Sequence, residues 1–257
     1  MDLALDGKTA LVTGSDTRTG EIIANTLAAE GATVVYHGNH LAPEVNAPNM
    51  SLCGDVTTEE GCQKVVDELA EHKISIDILV NNYGTTDNHK WRNADTAKWL
   101  EMMQINLLSA VRLSQALTPV MKAKGWGRVI NLSTIGSNQP AAERPAYYAA
   151  KAALANMAVS LMQELAGSGI TVNTVSPGLI RTEQVEKAFI AKAKREGWPK
   201  DWPSIEQKVV ETLFPNASGR LAEREEIADF VAFLCSPKAG FINGQNIRVD
   251  GGAVVYV

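Results

Sequence analysis

The chain has 257 residues, 45% of them hydrophobic, enough to bury a substantial core in one large α/β domain without disulfide or metal staples. A net charge of −5 argues against a nucleic-acid or acidic-membrane surface, since either requires a basic face. No apolar run approaches the ~18 residues of a membrane span, and Met1 leads almost directly into a strand-like run rather than a secretory signal, so a soluble cytoplasmic protein is expected.

Short apolar runs alternate with helical segments, the pattern of βαβ units around a parallel sheet. Residues 9–13 read as a buried strand, followed by a glycine-bearing turn and a helix over 20–30. Strands follow at 33–37 and 50–53, a helix at 58–72, a strand at 77–81, and a long helical stretch over 96–124 in which Pro119 is expected to bend or break the chain. A fifth strand at 128–133 precedes an Ala-rich helix over 147–168 and a sixth strand at 171–176. Helices at 183–194, 204–213 and 224–235 and a last strand at 246–249 complete the chain. Strands apolar without alternation are covered on both faces, so a Rossmann-type, doubly wound, three-layer αβα sheet is expected over 1–257. Such sheets bind ligands beyond the carboxyl ends of their strands. Cys53, Cys62 and Cys235 are odd in number, widely spaced and without zinc-ligand spacing, which reads as free thiols and no metal.

The run Thr13-Gly14-Ser15-Asp16-Thr17-Arg18-Thr19-Gly20 joins the first strand to the first helix. Backbone N–H groups and a helix N-terminus there can face a pyrophosphate. In Tyr147-Tyr148-Ala149-Ala150-Lys151, Tyr147 and Lys151 stand at i, i+4, neighbours on one helical face. An ammonium beside a phenol is expected to lower its pKa, fitting Tyr147 to pass a proton to a carbonyl oxygen or take one from an alcohol. Tyr148 also lies within helical reach of Lys151.

The turn and the Tyr-x-x-x-Lys run resemble the short-chain dehydrogenase/reductase family, whose turn reads T-G-x-x-x-G-x-G. Arg18 replaces the middle glycine, so its side chain must point away from the pyrophosphate or the loop must differ. The family's acidic position at the second strand's end falls on Gly38, leaving no carboxylate to repel a 2′-phosphate; NADP(H) is favoured over NAD(H), with the Arg18 guanidinium as the phosphate's partner. The resemblance implies a cofactor site of Gly14, Arg18, Thr19, Gly20, Asp55, Val56 and Asn82, the last from Asn81-Asn82-Tyr83-Gly84, where Tyr83 replaces a small residue. His37 and His40 are left outside the site. After the sixth strand, Pro177, Gly178, Ile180 and Thr182 match the segment that holds the nicotinamide carboxamide.

By the same resemblance Tyr147, Lys151, a hydroxyl residue and Asn106, whose backbone would hold a relay water, form the catalytic set. The hydroxyl falls on Thr134 by two counts, while counting back from Gly136 favours Ser133; Thr134 is preferred. Residues 183–218, with Phe189, Trp198, Trp202 and Phe214, match the substrate lid, and the aromatics suit either an apolar pocket or the lid's own seat. Trp91 and Trp99 share that ambiguity, and Arg144 and Arg181 lie in loops close by. The likeness extends through Gly244-Gln245-Asn246 and Val249-Asp250-Gly251-Gly252. The implied activity interconverts a ketone and a secondary alcohol on a small, moderately apolar substrate, in a homo-oligomer (dimer or tetramer). A non-catalytic dinucleotide sensor on the same fold is the alternative; the i, i+4 spacing disfavours an enoyl reductase.

Overall fold

In a computed structural model describing residues 2–16 and 18–256, seven strands lie side by side and all parallel. Thr17, inside the expected cofactor turn, is outside the described residues. The strands are β1 (Thr9–Val12), β2 (Thr33–Gly38), β3 (Met50–Cys53), β4 (Ile78–Asn81), β5 (Gly127–Leu132), β6 (Ile170–Pro177) and β7 (Asn246–Val249). Their order is β3-β2-β1-β4-β5-β6-β7. From β1 the chain moves outward to β2 and β3, then returns to place β4 on β1's other side. The crevice beyond the carboxyl ends of β1 and β4 is therefore the topological switch point.

The helices are α1 (Arg18–Ala29), α2 (Glu59–Glu71), α3 (Thr96–Met103), α4 (Ser109–Lys124), α5 (Pro145–Glu164), α6 (Glu183–Glu196), α7 (Trp202–Thr212) and α8 (Arg224–Cys235). Alternate strand residues feed two cores. Ala10, Val12, Val34 and Ile130 pack beneath α1 and α8, with Ile23, Leu27, Ile227 and Val231. Leu11, Val35, Leu79 and Val129 pack beneath α2, α4 and α5, with Val65, Leu113, Leu117 and Ala158. A side-chain period of two thus serves both faces, which is why strands such as Thr9–Val12 and Ile78–Asn81 carry apolar residues at adjacent positions.

Two expectations need correction. Pro119 lies inside α4 without breaking it, and the irregularity falls earlier, in a π-helical turn at Gln104–Leu108 between α3 and α4. The helix expected from residue 147 begins at Pro145, whose fixed φ and missing N–H suit a first helical position, and it ends at Glu164. Tyr147 therefore sits in its first turn. Helices α6 and α7 stand on a separate small core of Ala193, Ile205, Val209, Val210 and Leu221, packed by Phe189, Trp198 and Trp202.

Candidate active site

Tyr147 lines a cleft of about 580 Å³ beyond the ends of β5 and β6. Thr134, which follows β5, lines the same cleft and its hydroxyl favours the Tyr147 phenolate, while Thr134 Oγ1 accepts from the Gly136 N–H at 3.3 Å. Ser133 is turned toward α5: its Oγ donates to the Lys151 carbonyl at 3.0 Å and the residue is buried. The hydroxyl beside Tyr147 is Thr134's. Tyr148 packs its ring over Gly136, where any Cβ would collide with it.

Lys151 is buried one turn further along, its Nζ donating to the Leu132 carbonyl at 2.7 Å. Burial pushes its pKa down to about 8. Burial also pushes the Tyr147 phenol up to about 12, reinforced by Tyr148 and opposed by Arg144 and by the Thr134 hydrogen bond. The expectation that Lys151 holds this phenol low is therefore reversed in the protein by itself. A lysine so desolvated gives up its own charge before the phenol ionises, and a neutral amine cannot favour a phenolate.

Asn106 lies in the π-turn, where the helical ladder slips by one residue, a feature frequent at functional sites. Its Nδ2 donates to the carbonyls of Thr85 at 2.9 Å and Met102 at 3.2 Å, and its Oδ1 is buried with no partner among the described residues. A Cβ at Gly84 would lie 2.8 Å from that Oδ1 and 3.0 Å from Lys151 Nζ, so a glycine there lets both side chains converge. The structure brings Tyr147, Thr134, Lys151 and Asn106 into one cluster.

The turn after β1 is held from two sides. Asn82 Nδ2 donates to the carbonyls of Thr13 at 2.9 Å and Gly14 at 3.1 Å, while Thr13 Oγ1 accepts from the Asn82 and Tyr83 N–H groups. At Gly20 a Cβ would collide with the Gly14 carbonyl and with Asn82 Nδ2, so no other residue fits. Arg18 keeps the left-handed conformation that a glycine would take, at φ 62°, with its side chain exposed. A side chain in that conformation carries a local cost of about 1–2 kcal/mol. Tyr83 packs against the second core and beside Gly14. Gly38 has no room for a side chain, because a Cβ would meet the Leu41 carbonyl. Asp55 accepts from Asn39 Nδ2 and from Thr57, and Val56 N–H donates to Asn39 Oδ1. Burial alone would raise the Asp55 pKa, but the bonds from Thr57 and Asn39 outweigh it and leave it below the usual carboxylate value.

Pro177, Gly178, Ile180 and Thr182 line the cleft with Tyr147, with Ile180 bridged to Ala222 and Thr182 Oγ1 capping α6 through the Val185 N–H. These residues fit a nicotinamide dinucleotide. The close Gly14–Gly20 approach brings the start of α1 against the end of β1, and Pro177, Gly178, Ile180 and Thr182 line the same cleft as the Tyr147 phenol.

A family model described as enoyl-(acyl carrier protein) reductase matches residues 19–254. The 3-oxoacyl-(acyl-carrier-protein) reductase of Vibrio cholerae is 35% identical over 258 residues, covering 96% of this chain and 98% of that protein. The chain is a short-chain dehydrogenase/reductase. An uncharacterized oxidoreductase of Bacillus subtilis is 34% identical over 269 residues, covering 99% of this chain and 98% of its own. Among solved structures, the L-sorbose reductase of Gluconobacter frateurii complexed with NADPH and L-sorbose superposes with a TM-score of 0.91 at 33% identity, each chain fully covered. The 3-oxoacyl reductase of Agrobacterium tumefaciens with NADP bound gives 0.83 at 30% identity, over 98% of this chain and 96% of that one. As a short-chain dehydrogenase/reductase the chain is an enzyme that interconverts a ketone and a secondary alcohol with a nicotinamide cofactor. These relatives support that reading over a cofactor sensor.

Several residues of this reductase take positions that sequence reasoning left open or missed. Arg144 lines the cleft, whereas Arg181 is paired with Glu186 and Glu223 and stacks near Trp202. Phe189, Trp198 and Trp202 seat the α6–α7 unit, and of the four aromatics noted there Phe214 lines the cleft. Trp91 pairs with Trp99 at 5.4 Å and is exposed. His37, left outside the site in the sequence reading, is fully buried against the β1–α1 turn. Its signal was a histidine one residue before the end of the strand Thr33–Gly38, following Val34, Val35 and Tyr36.

Proposed function

We propose that the chain is an NADP(H)-preferring reductase of small, moderately apolar ketones in which Tyr147 is the proton donor. The observation that carries this is the Tyr147 hydroxyl in the cleft, beside Thr134 and on the helix that buries Lys151. A bound nicotinamide supplies or accepts the hydride at the carbonyl carbon. Tyr147 hands its proton to the carbonyl oxygen, and Thr134 Oγ1 holds that oxygen in line. Lys151, with Asn106 at its side, replaces the proton from within; the Asn106 backbone would hold the relay water, and its Oδ1, unpartnered among the described residues, is a further acceptor beside it. Gly14, Arg18, Thr19, Gly20, Asp55, Val56 and Asn82 would hold the adenosine and pyrophosphate half, and Pro177, Gly178, Ile180 and Thr182 the carboxamide. Ile135, Leu179, Val185, Leu213 and Phe214 make the cleft walls largely apolar, with Gln139 and Asn216 among them for polar contact. Residues 183–218 would close over it as a lid.

The test is oxidation of NADPH, followed by nicotinamide absorbance, against 3-oxoacyl thioesters, ketoses such as L-sorbose and simple aryl ketones. Turnover of any of these ketones is expected. Cofactor binding without reduction of any of them would overturn the reading.

The choice between hydroxyls is equally direct. Thr134→Ala should lower kcat by about 10²-fold, with Thr134→Ser restoring most of it. Ser133→Ala should keep kcat and lose about 1 kcal/mol of stability, the bond that ties β5 to α5. The reverse pattern would move the role to Ser133.

Support for NADP(H) comes from the missing carboxylate at Gly38 and the exposed guanidinium of Arg18. Arg18→Gly relieves the left-handed strain while removing the charge, so it isolates the side chain. The ratio of kcat/KM for NADPH over NADH should fall by about 10-fold or more, the worth of a charged hydrogen bond. An unchanged ratio would remove Arg18 from the site. Exposed Leu100, Val120 and Val159 on α3, α4 and α5 support a homo-oligomer formed through those helices, and we place the enzyme in the cytoplasm.

A further inference from the structure

We propose that neutral His37 is the positioning residue of the dinucleotide turn, and that protonating its ring releases the turn and weakens cofactor binding as pH falls. This rests on the reading of Gly14–Gly20 as the dinucleotide site. His37 is 0% exposed. Its Nδ1 lies 3.2 Å from the Gly14 N and its Nε2 2.9 Å from the Gly54 carbonyl. A carbonyl only accepts, so Nε2 must carry the proton; an N–H only donates, so Nδ1 must be bare. One tautomer of the neutral ring satisfies both. Its backbone joins the same turn, the His37 N–H donating to Ser15 Oγ at 2.8 Å and the His37 carbonyl accepting from the Ser15 N–H at 2.9 Å. The ring is therefore a strut between the β1–α1 turn and the loop after β3 that carries Asp55 and Val56.

A second proton can go only on Nδ1, where it points at the Gly14 N–H. Two donors cannot share that contact, so Gly14 must move or the ring must leave its pocket. Either shift displaces the backbone whose carbonyl Asn82 also holds and against which Gly20 is packed. Burial keeps the ring's pKa below its ordinary value, against the Gly54 carbonyl and the carboxylates of Asp16 and Asp55, which favour the proton. Asp16 stands on the turn and Asp55 beyond β3. Tyr83, after β4, packs by Gly14, Cys53 ends the paired strand β3, and His40 lies three residues on, in Coulombic range of Asp55.

The test is the Kd of NADP+ measured by calorimetry on the full chain at pH 8 and pH 5.5, for wild type and for His37→Asn. Asparagine can place an amide oxygen near the position of Nδ1, an acceptor at both pH values; His37→Gln is the second variant if His37→Asn does not fold. The readout is the ratio of the two Kd values within each protein. The cofactor and its 2′-phosphate are the same in both measurements, so the comparison isolates the side chain at position 37. Wild type should lose about 10-fold more affinity than the variant between the two pH values, the scale of one buried donor left without its acceptor. Equal losses would overturn the role of His37 and leave the dinucleotide site standing. No binding by wild type at pH 8 would overturn the site and the proposal together.

Discussion

Replacing Tyr147 by phenylalanine should lower kcat by about 10²–10⁴-fold, the range that a positioned acid contributes. The change removes one oxygen and keeps the ring, whose tilted contact with Tyr148 at 5.5 Å needs no hydroxyl. Melting temperature and NADP+ affinity should therefore stay close to wild type, which separates a lost proton donor from a damaged fold. Tyr148→Phe is the internal control. Its ring covers Gly136 and its loss of a hydroxyl should leave kcat within a few-fold. The pH dependence carries a sign of its own. With the phenol near 12, Tyr147 is protonated across the ordinary range, so ketone reduction has its acid ready and should not gain from lower pH through this residue. Alcohol oxidation needs the phenolate and should accelerate as pH rises. A Tyr147→Phe enzyme that kept a tenth of its kcat would assign the proton to another group.

Much of this was legible along the chain, for reasons that differ by feature. The sheet was readable because strands such as Ile78–Asn81 are buried at every position, and only a sheet covered on both faces asks for that. The Tyr147–Lys151 neighbourhood follows from helical spacing alone. The turn after β1 was recognisable even with Arg18 in it, since a left-handed residue at a helix start preserves the path that glycine would take. What stayed hidden depends on contacts distant in sequence. The π-turn at Gln104–Leu108 has no local signature, and its Asn106 is held by Thr85, 21 residues away. His37 meets Gly14 and Gly54 only once three strand ends are side by side. The direction of the Tyr147 pKa could not be read from its spacing to Lys151, because spacing gives proximity and says nothing of how far water is excluded from both.

That exclusion makes Lys151 the source of the second large effect. Lys151→Met keeps the length and apolar stem of the side chain and deletes its charge and its bond to the Leu132 carbonyl. If Lys151 resupplies Tyr147, kcat should fall by about 10²-fold or more, with the chemistry slowed rather than substrate binding weakened. Stability gives an independent readout, because the buried ammonium is unwelcome in the folded protein. The folded pKa is depressed to about 8, below the unfolded value. Between the two the unfolded chain keeps its proton while the folded protein has lost it, so the unfolded state binds more protons and stability rises with pH. Below about pH 8 both states are protonated and the full penalty of burying the charge remains; it fades as pH rises toward the unfolded value of 10.5 and is gone only above it. Wild type should thus gain on Lys151→Met by about 2 kcal/mol from pH 8 to pH 10, the change that one proton brings over two pH units discounted for overlap of the two titrations. At this chain length that is about 4–8 °C in relative melting temperature. Melting both proteins at intervals from pH 7 to pH 10.5 measures it, and parallel curves would show that Lys151 keeps an ordinary pKa. Coupling the two readouts is the stronger statement. A lysine that is costly to the fold at neutral pH and also needed for turnover marks where stability is given up for proton transfer.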